Sequence, residues 1–144
     1  MRTRRFLSLA FISIFICLCI LFTGCSSPNG VYRLEKIQIQ DASNSLTFNI
    51  GDMFEGVKVT EDMFTVKIIE DGTVIVRVEY REGGSIWGKL VKETLIGTWY
   101  EGIEADEYFL KFTYKGDEEV FEIKKKGRKL IFDAGEGITY ILSK

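Results

Sequence analysis

Phe64, Val66 and Ile68 alternate with Thr65 and Lys67; Asp71-Gly72 follows, and then Val74, Val76, Val78 and Tyr80 alternate with Ile75, Arg77 and Glu79. Successive side chains of an extended strand point to opposite faces, so two period-two runs of this kind are two half-buried strands. The Asp-Gly between them is a strong short-range hairpin signal. A type I′ turn needs positive φ at both central residues, and Asp-Gly tolerates it, which predicts such a turn at Asp71-Gly72. A chain with this hairpin at its centre is committed to a sheet.

The remainder of residues 31–144 carries the same signature, with short β-rich runs separated by Gly- and Asp-containing breaks. Residues 31–39 read as a first strand. Tyr32 and Leu34 stand in one phase and Ile37 and Ile39 in the other, which predicts a bulge between them. A second strand is expected at 46–50. Met53, Phe54 and Val57 then suggest one face of a brief helix within 51–62. Further strands are expected at 86–91, 93–101, 108–114, 120–125, 129–133 and 138–142, with turns at Gly116-Asp117, at Lys126-Gly127 and over 134–137. The reading is all-β, with about eight to ten short antiparallel strands joined mostly by tight turns. Such a chain closes into an up-and-down barrel or stacks as a sandwich. Closure removes exposed edges, and with one Pro in the chain to protect an edge strand, it favours the barrel.

The first thirty residues obey different rules. Arg2, Arg4 and Arg5 precede a charge-free apolar run over 6–22, and every Asp and Glu lies beyond residue 34. A basic start followed by an apolar stretch is the layout of an export signal. At this length a retained helical anchor is also conceivable, but the next residues argue against one. Leu21-Phe22-Thr23-Gly24-Cys25 resembles the lipobox of bacterial lipoproteins. The resemblance implies cleavage between Gly24 and Cys25, a diacylglyceryl group on the Cys25 sulfur, and a new N-terminus at Cys25. Thr3-Arg4-Arg5-Phe6-Leu7 is similar to a twin-arginine signal, yet Phe follows the Arg pair directly, so export of an unfolded chain is the better expectation. The expected organisation is a signal peptide over 1–24, Cys25 with a short tether to residue 30, and a barrel domain over 31–144.

Composition agrees with that organisation. Of three Cys, Cys17 and Cys19 fall inside the signal, leaving Cys25 alone in the processed chain and no partner for an internal disulfide. Loss of 1–24 removes three Arg and no acid, leaving sixteen bases against twenty-one acids, a net charge of −5. That balance speaks against nucleic-acid binding, which calls for a basic face. The tether, extended, reaches only about 17 Å, so the domain is expected to sit close to the membrane.

A second resemblance spans nearly all of the processed chain. Gly30-Val31-Tyr32-Arg33-Leu34, Glu70-Asp71-Gly72-Thr73, Gly97-Thr98-Trp99-Tyr100 and the closing Ile138-Thr139-Tyr140-Ile141-Leu142 are similar, in their order, to the lipocalin-like domains of small bacterial surface lipoproteins. The Gly-Thr-Trp-Tyr element is similar to the Gly-X-Trp of true lipocalins, where it belongs to the first strand; here it lies mid-chain. The resemblance implies a barrel and assigns no catalytic residues.

Chemistry is sparsely provided for. With no His in the chain, Ser-His-Asp and Cys-His devices and imidazole-based zinc sites are excluded. Carboxylates cluster at Glu104, Asp106 and Glu107 and at Asp117, Glu118 and Glu119, but at expected turns and without the spacing of a Ca²⁺ loop, so solvated turns are the favoured reading. Lys124-Lys125-Lys126-Gly127-Arg128-Lys129 is the one basic cluster, and alternation sends its side chains to opposite faces. Trp87, Trp99, the tyrosines and seven Phe can either fill a small barrel or line a pocket for an apolar or planar ligand. No cofactor is called for. The function expected is a non-catalytic lipoprotein held at the cell membrane outside the cytoplasm, binding a small apolar or aromatic ligand or an envelope component, with Trp87 and Trp99 as candidate contacts. The alternative is an accessory lipoprotein with a fully packed barrel that acts through protein contacts.

Overall fold

The computed structural model describes residues 27–84 and 87–144. The expected signal over 1–24, the cleavage point at Gly24-Cys25 and the lipid-bearing Cys25 lie outside the described residues. Eleven strands make up about two thirds of what is described: β1 Gly30–Gln40, β2 Ser45–Asn49, β3 Met53–Phe54, β4 Val57–Lys58, β5 Phe64–Ile68, β6 Thr73–Arg81, β7 Leu90–Glu101, β8 Glu107–Tyr114, β9 Asp117–Lys126, β10 Lys129–Gly135 and β11 Ile138–Ser143. Eight of them, β1 and β5 to β11, pair in sequence order, and β11 returns to pair with β1. The result is a closed antiparallel barrel, which settles the choice against a sandwich.

Closure depends on β1, which is long enough to serve three partners. Its first half pairs with β5, from Gly30↔Ile68 to Arg33↔Thr65, and its second half pairs on that same side with β2. Its other side pairs with β11 along most of its length, and the register shifts between Leu34 and Lys36. That shift is the bulge expected from the phase change. It turns Tyr32 and Leu34 on one side, and Ile37 and Ile39 on the other, toward the same interior.

Three local expectations are corrected. No α-helix forms over 51–62. β3 and β4 make a hairpin in which Phe54 pairs with Val57 across Glu55-Gly56, both at positive φ, and a single 3-10 turn, Glu61–Met63, leads into β5. Residues i and i+3 flank a two-residue hairpin just as they share a helix face, so an apolar pair at that spacing fits either element. The Asp71-Gly72 hairpin exists, but not as type I′. Gly72 alone has positive φ, its N–H donates to the Ile69 carbonyl, and the Asp71 carboxylate accepts from the Thr73 N–H at 2.8 Å. This is a type I turn closed by a left-handed glycine, another common hairpin connection. Finally, the strands expected at 86–91 and 93–101 are one strand, β7. Ile86 lies outside the described residues, and Trp87 to Lys89 belong to the connection before β7.

The interior is filled at one end; at the other, the β3–β4 hairpin and the 3-10 turn fold Phe54, Val57, Val59 and Met63 against it and leave it only partly open. Tyr32, Leu34, Leu110, Ile123, Leu130 and Leu142 are almost fully buried at the end where β1 begins. At the opposite end, Val78, Leu95, Phe121, Phe132, Ile138 and Tyr140 face inward but are only partly buried.

Candidate functional site

Up-and-down connectivity sorts the loops. The connections after β1, β6, β8 and β10 lie at the open end, whereas the β5–β6, β7–β8 and β9–β10 turns share the filled end with residues 27–29 and Lys144. Residues 27–29 therefore lead into the barrel opposite its mouth.

Aromatic rings line that mouth. Phe64 stacks on Tyr140 with centroids 4.9 Å apart, Phe132 lies 5.5 Å from both Phe64 and Phe121, and Phe121 continues to Phe112. Each ring comes from a different strand at an inward position, so the continuous ring surface follows from register. Beside it opens a cavity of about 170 Å³, lined by Phe54, Val57, Met63, Phe64, Val78 and Tyr140 with Glu55, Glu79, Tyr80 and Arg81 at its edge. Burial raises the Tyr140 hydroxyl above its ordinary pKa, and the nearby Glu55 charge pushes the same way. A larger groove of about 570 Å³, bounded by Glu122, Lys124, Ile131, Asp133, Gly135 and Thr139, is shallow and on the outer wall.

Arg81 organises the edge of the mouth. Its Nε donates to the Gly56 carbonyl at the tip of the β3–β4 hairpin, and its Nη1 to the Gly88 carbonyl before β7. One side chain thus ties two loops together. Tyr80 beside it donates to Glu93, which holds the Tyr80 hydroxyl above its usual pKa. In sequence Arg81 shares the polar phase of Arg77 and Glu79, so alternation alone does not set it apart.

The two tryptophans singled out from sequence are not brought together. Trp87 is 90% exposed in the β6–β7 connection, at the mouth end. Trp99 is half-buried at the filled end, where its Nε1 donates to the Ile69 carbonyl at 2.7 Å and its ring meets Tyr108 edge-on. Tyr32 closes the same end by donating to the Pro28 carbonyl, and burial raises its pKa.

Of the charged clusters, Glu104 and Asp106 lie in the β7–β8 loop and Glu107 opens β8, whereas Asp117, Glu118 and Glu119 open β9. Glu118 pairs with Lys111 at 2.9 Å. Among the described residues no group of three His, Cys, Asp or Glu is placed to hold a metal ion. The basic cluster divides as alternation demands, Lys125 turned inward and buried, Lys124 and Lys126 exposed, and Lys129 paired with Glu35. No helix among the described residues is long and apolar enough to cross a membrane. Comparison with known proteins finds no matching family model, no matching curated protein and no matching solved structure.

Proposed function

We propose that this chain is an extracytoplasmic lipoprotein, anchored through a diacylglyceryl group on Cys25, whose barrel mouth binds a small ligand that is apolar or aromatic in part. The observation that carries the reading is a ring surface in which Phe121, Phe132 and Tyr140 are only partly buried and Phe64 is buried against them, beside a cavity that Phe64 and Tyr140 help to line. Apolar side chains left partly exposed in a concave site are what a ligand covers, and 170 Å³ is room for one aromatic ring or a short chain. Tethering at the opposite end turns such a mouth away from the membrane surface. Binding rather than catalysis fits a chain without His whose remaining Cys is committed to lipid.

Trp87 is the reporter for the test, and Trp99→Phe leaves it the only tryptophan. Residues 27–144, which contain every strand of the barrel, are titrated with lipophilic probes and envelope extracts while fluorescence is followed. Saturable change in the single-tryptophan protein, abolished by filling the mouth with Val78→Trp as judged by a displaced probe, supports the proposal. If nothing binds saturably, the filled lower half of the barrel favours the accessory-lipoprotein reading instead.

A further inference from the structure

The three longest stretches of open strand edge among the described residues lie on β2, β9 and β7, and the first two are guarded. β2 is short, and the open half of β9 carries Glu118 and Glu122, whose like charges oppose self-pairing. The third is different. β7 pairs with β6 along nine residues, from Thr98 to Leu90, but with β8 only from Thr98 to Glu101. The strands part at Gly97, where a Cβ would collide with the Lys111 carbonyl oxygen.

The hydrogen-bond phase of the open half is fixed at both ends. The Trp99 N–H donates to Gly72 and the Lys89 carbonyl accepts from Glu82, so odd-numbered residues of β7 face β6. The N–H and C=O groups of Leu90, Lys92, Thr94 and Ile96 therefore point outward, away from β6. All four residues are exposed, and Ile96 is 68% exposed beside its cross-strand partner Ile75.

We propose that this edge pairs with the same edge of a second copy of the chain, antiparallel, about a two-fold axis at Thr94. The residues select the register. A hydrogen-bonded ladder allows only even-to-even pairing here. Centring on Val91 or Leu95 pairs only two of the four outward-facing residues, since Thr98 is already bound to Lys111. Centring on Lys92 sets lysine against lysine, and centring on Glu93 sets glutamate against glutamate, both unfavourable. Centring on Thr94 sets Thr94 against Thr94, Lys92 against Ile96 and Glu93 against Leu95, with no like charges opposed. The result is a continuous four-stranded sheet, β6–β7 of one copy running into β7–β6 of the other.

Directly opposed residues in such a ladder have Cα atoms about 5.5 Å apart, within disulfide reach. The test uses the full chain in detergent micelles with cysteine at exposed positions, read on non-reducing gels after mild oxidation against the parent background. Thr94→Cys is expected to trap a dimer several-fold above the parent and above Thr47→Cys on β2. Lys92→Cys mixed with Ile96→Cys is expected to give a mixed dimer, with neither forming one alone. Thr94→Pro, which removes an outward N–H that β6 does not use, is expected to abolish self-association in sedimentation. Thr94→Cys trapping no more dimer than the parent would overturn the proposal, as it would if another protein's strand held the edge. Efficient trapping by Lys92→Cys alone would overturn the register.

Discussion

The Trp99 indole N–H donates to the carbonyl of Ile69 across 2.7 Å, tying the second half of β7 to the turn that precedes β6. The side chain with the most apolar surface at the filled end is thus oriented by a polar contact, the usual arrangement for a partly buried indole. Trp99→Phe keeps a ring against Tyr108 and loses the bond. Urea denaturation is expected to show a loss of about 1 kcal/mol, the net worth of one such hydrogen bond. An unchanged midpoint would mean that the contact orients the ring without stabilising the barrel.

Arg81 is expected to govern the mouth more than the barrel. Arg81→Ala removes both carbonyl contacts, to Gly56 and Gly88, and releases the β3–β4 hairpin from β6. A loss of about 1–2 kcal/mol is expected, as for hydrogen bonds from a charged donor. Amide hydrogen exchange should quicken at residues 53–58 while β8 and β11 stay protected.

Two glycines separate backbone strain from crowding. Gly72 stands at φ +91° with open space around its Cα, so Gly72→Ala is expected to cost about 1 kcal/mol, from the left-handed conformation alone. Gly97 has no positive φ, yet a Cβ there meets the Lys111 carbonyl and the Phe112 ring. Gly97→Ala is expected to cost more, about 3 kcal/mol, since neither neighbour yields easily. Thermal melts of the two variants side by side check the order.

Alkaline pH is expected to loosen the fold. Tyr32, Tyr108 and Tyr140 are all raised, chiefly by burial, so each ionises less readily folded than unfolded. Their contribution is intact below the unfolded tyrosine value of about 10 and is lost as pH rises through and above it. Melting temperature should fall over that range, and Tyr140→Phe should soften the fall.

Cys25→Ala is expected to stop both fatty-acid labelling and removal of residues 1–24, read as a mass shift and loss of the label from the membrane fraction. Normal labelling of that variant would refute the lipoprotein reading.

What the sequence disclosed of the fold was carried by period and phase. Alternation located the barrel strands within a few residues, and the phase change between Leu34 and Ile37 located the bulge. Spacing alone misled at Phe54 and Val57, because i, i+3 belongs to tight hairpins as well as helices. It also misled at Asp71-Gly72, where the turn type rests on which carbonyl Gly72 finds. The mouth was legible only as an abundance of aromatic residues. Phe64, Phe121, Phe132 and Tyr140 come from four strands, and only closure of the sheet brings them onto one surface. Trp87 and Trp99 share a residue type, but Trp87 lies in the β6–β7 connection at the mouth and Trp99 on β7 at the filled end.

The pairing of the first strand with the last has a kinetic meaning. Leu34 meets Leu142, so one wall of the barrel joins residues near the two extremes of the described chain. Contacts so distant in sequence require a large loop to close before they reward the chain, which slows folding. Until residues 138–143 are available, one edge of β1 has no native partner, so every shortened or still-emerging form exposes a strand ready to pair wrongly. Loss of a few C-terminal residues should therefore act as a folding defect of the whole domain rather than as trimming of its end.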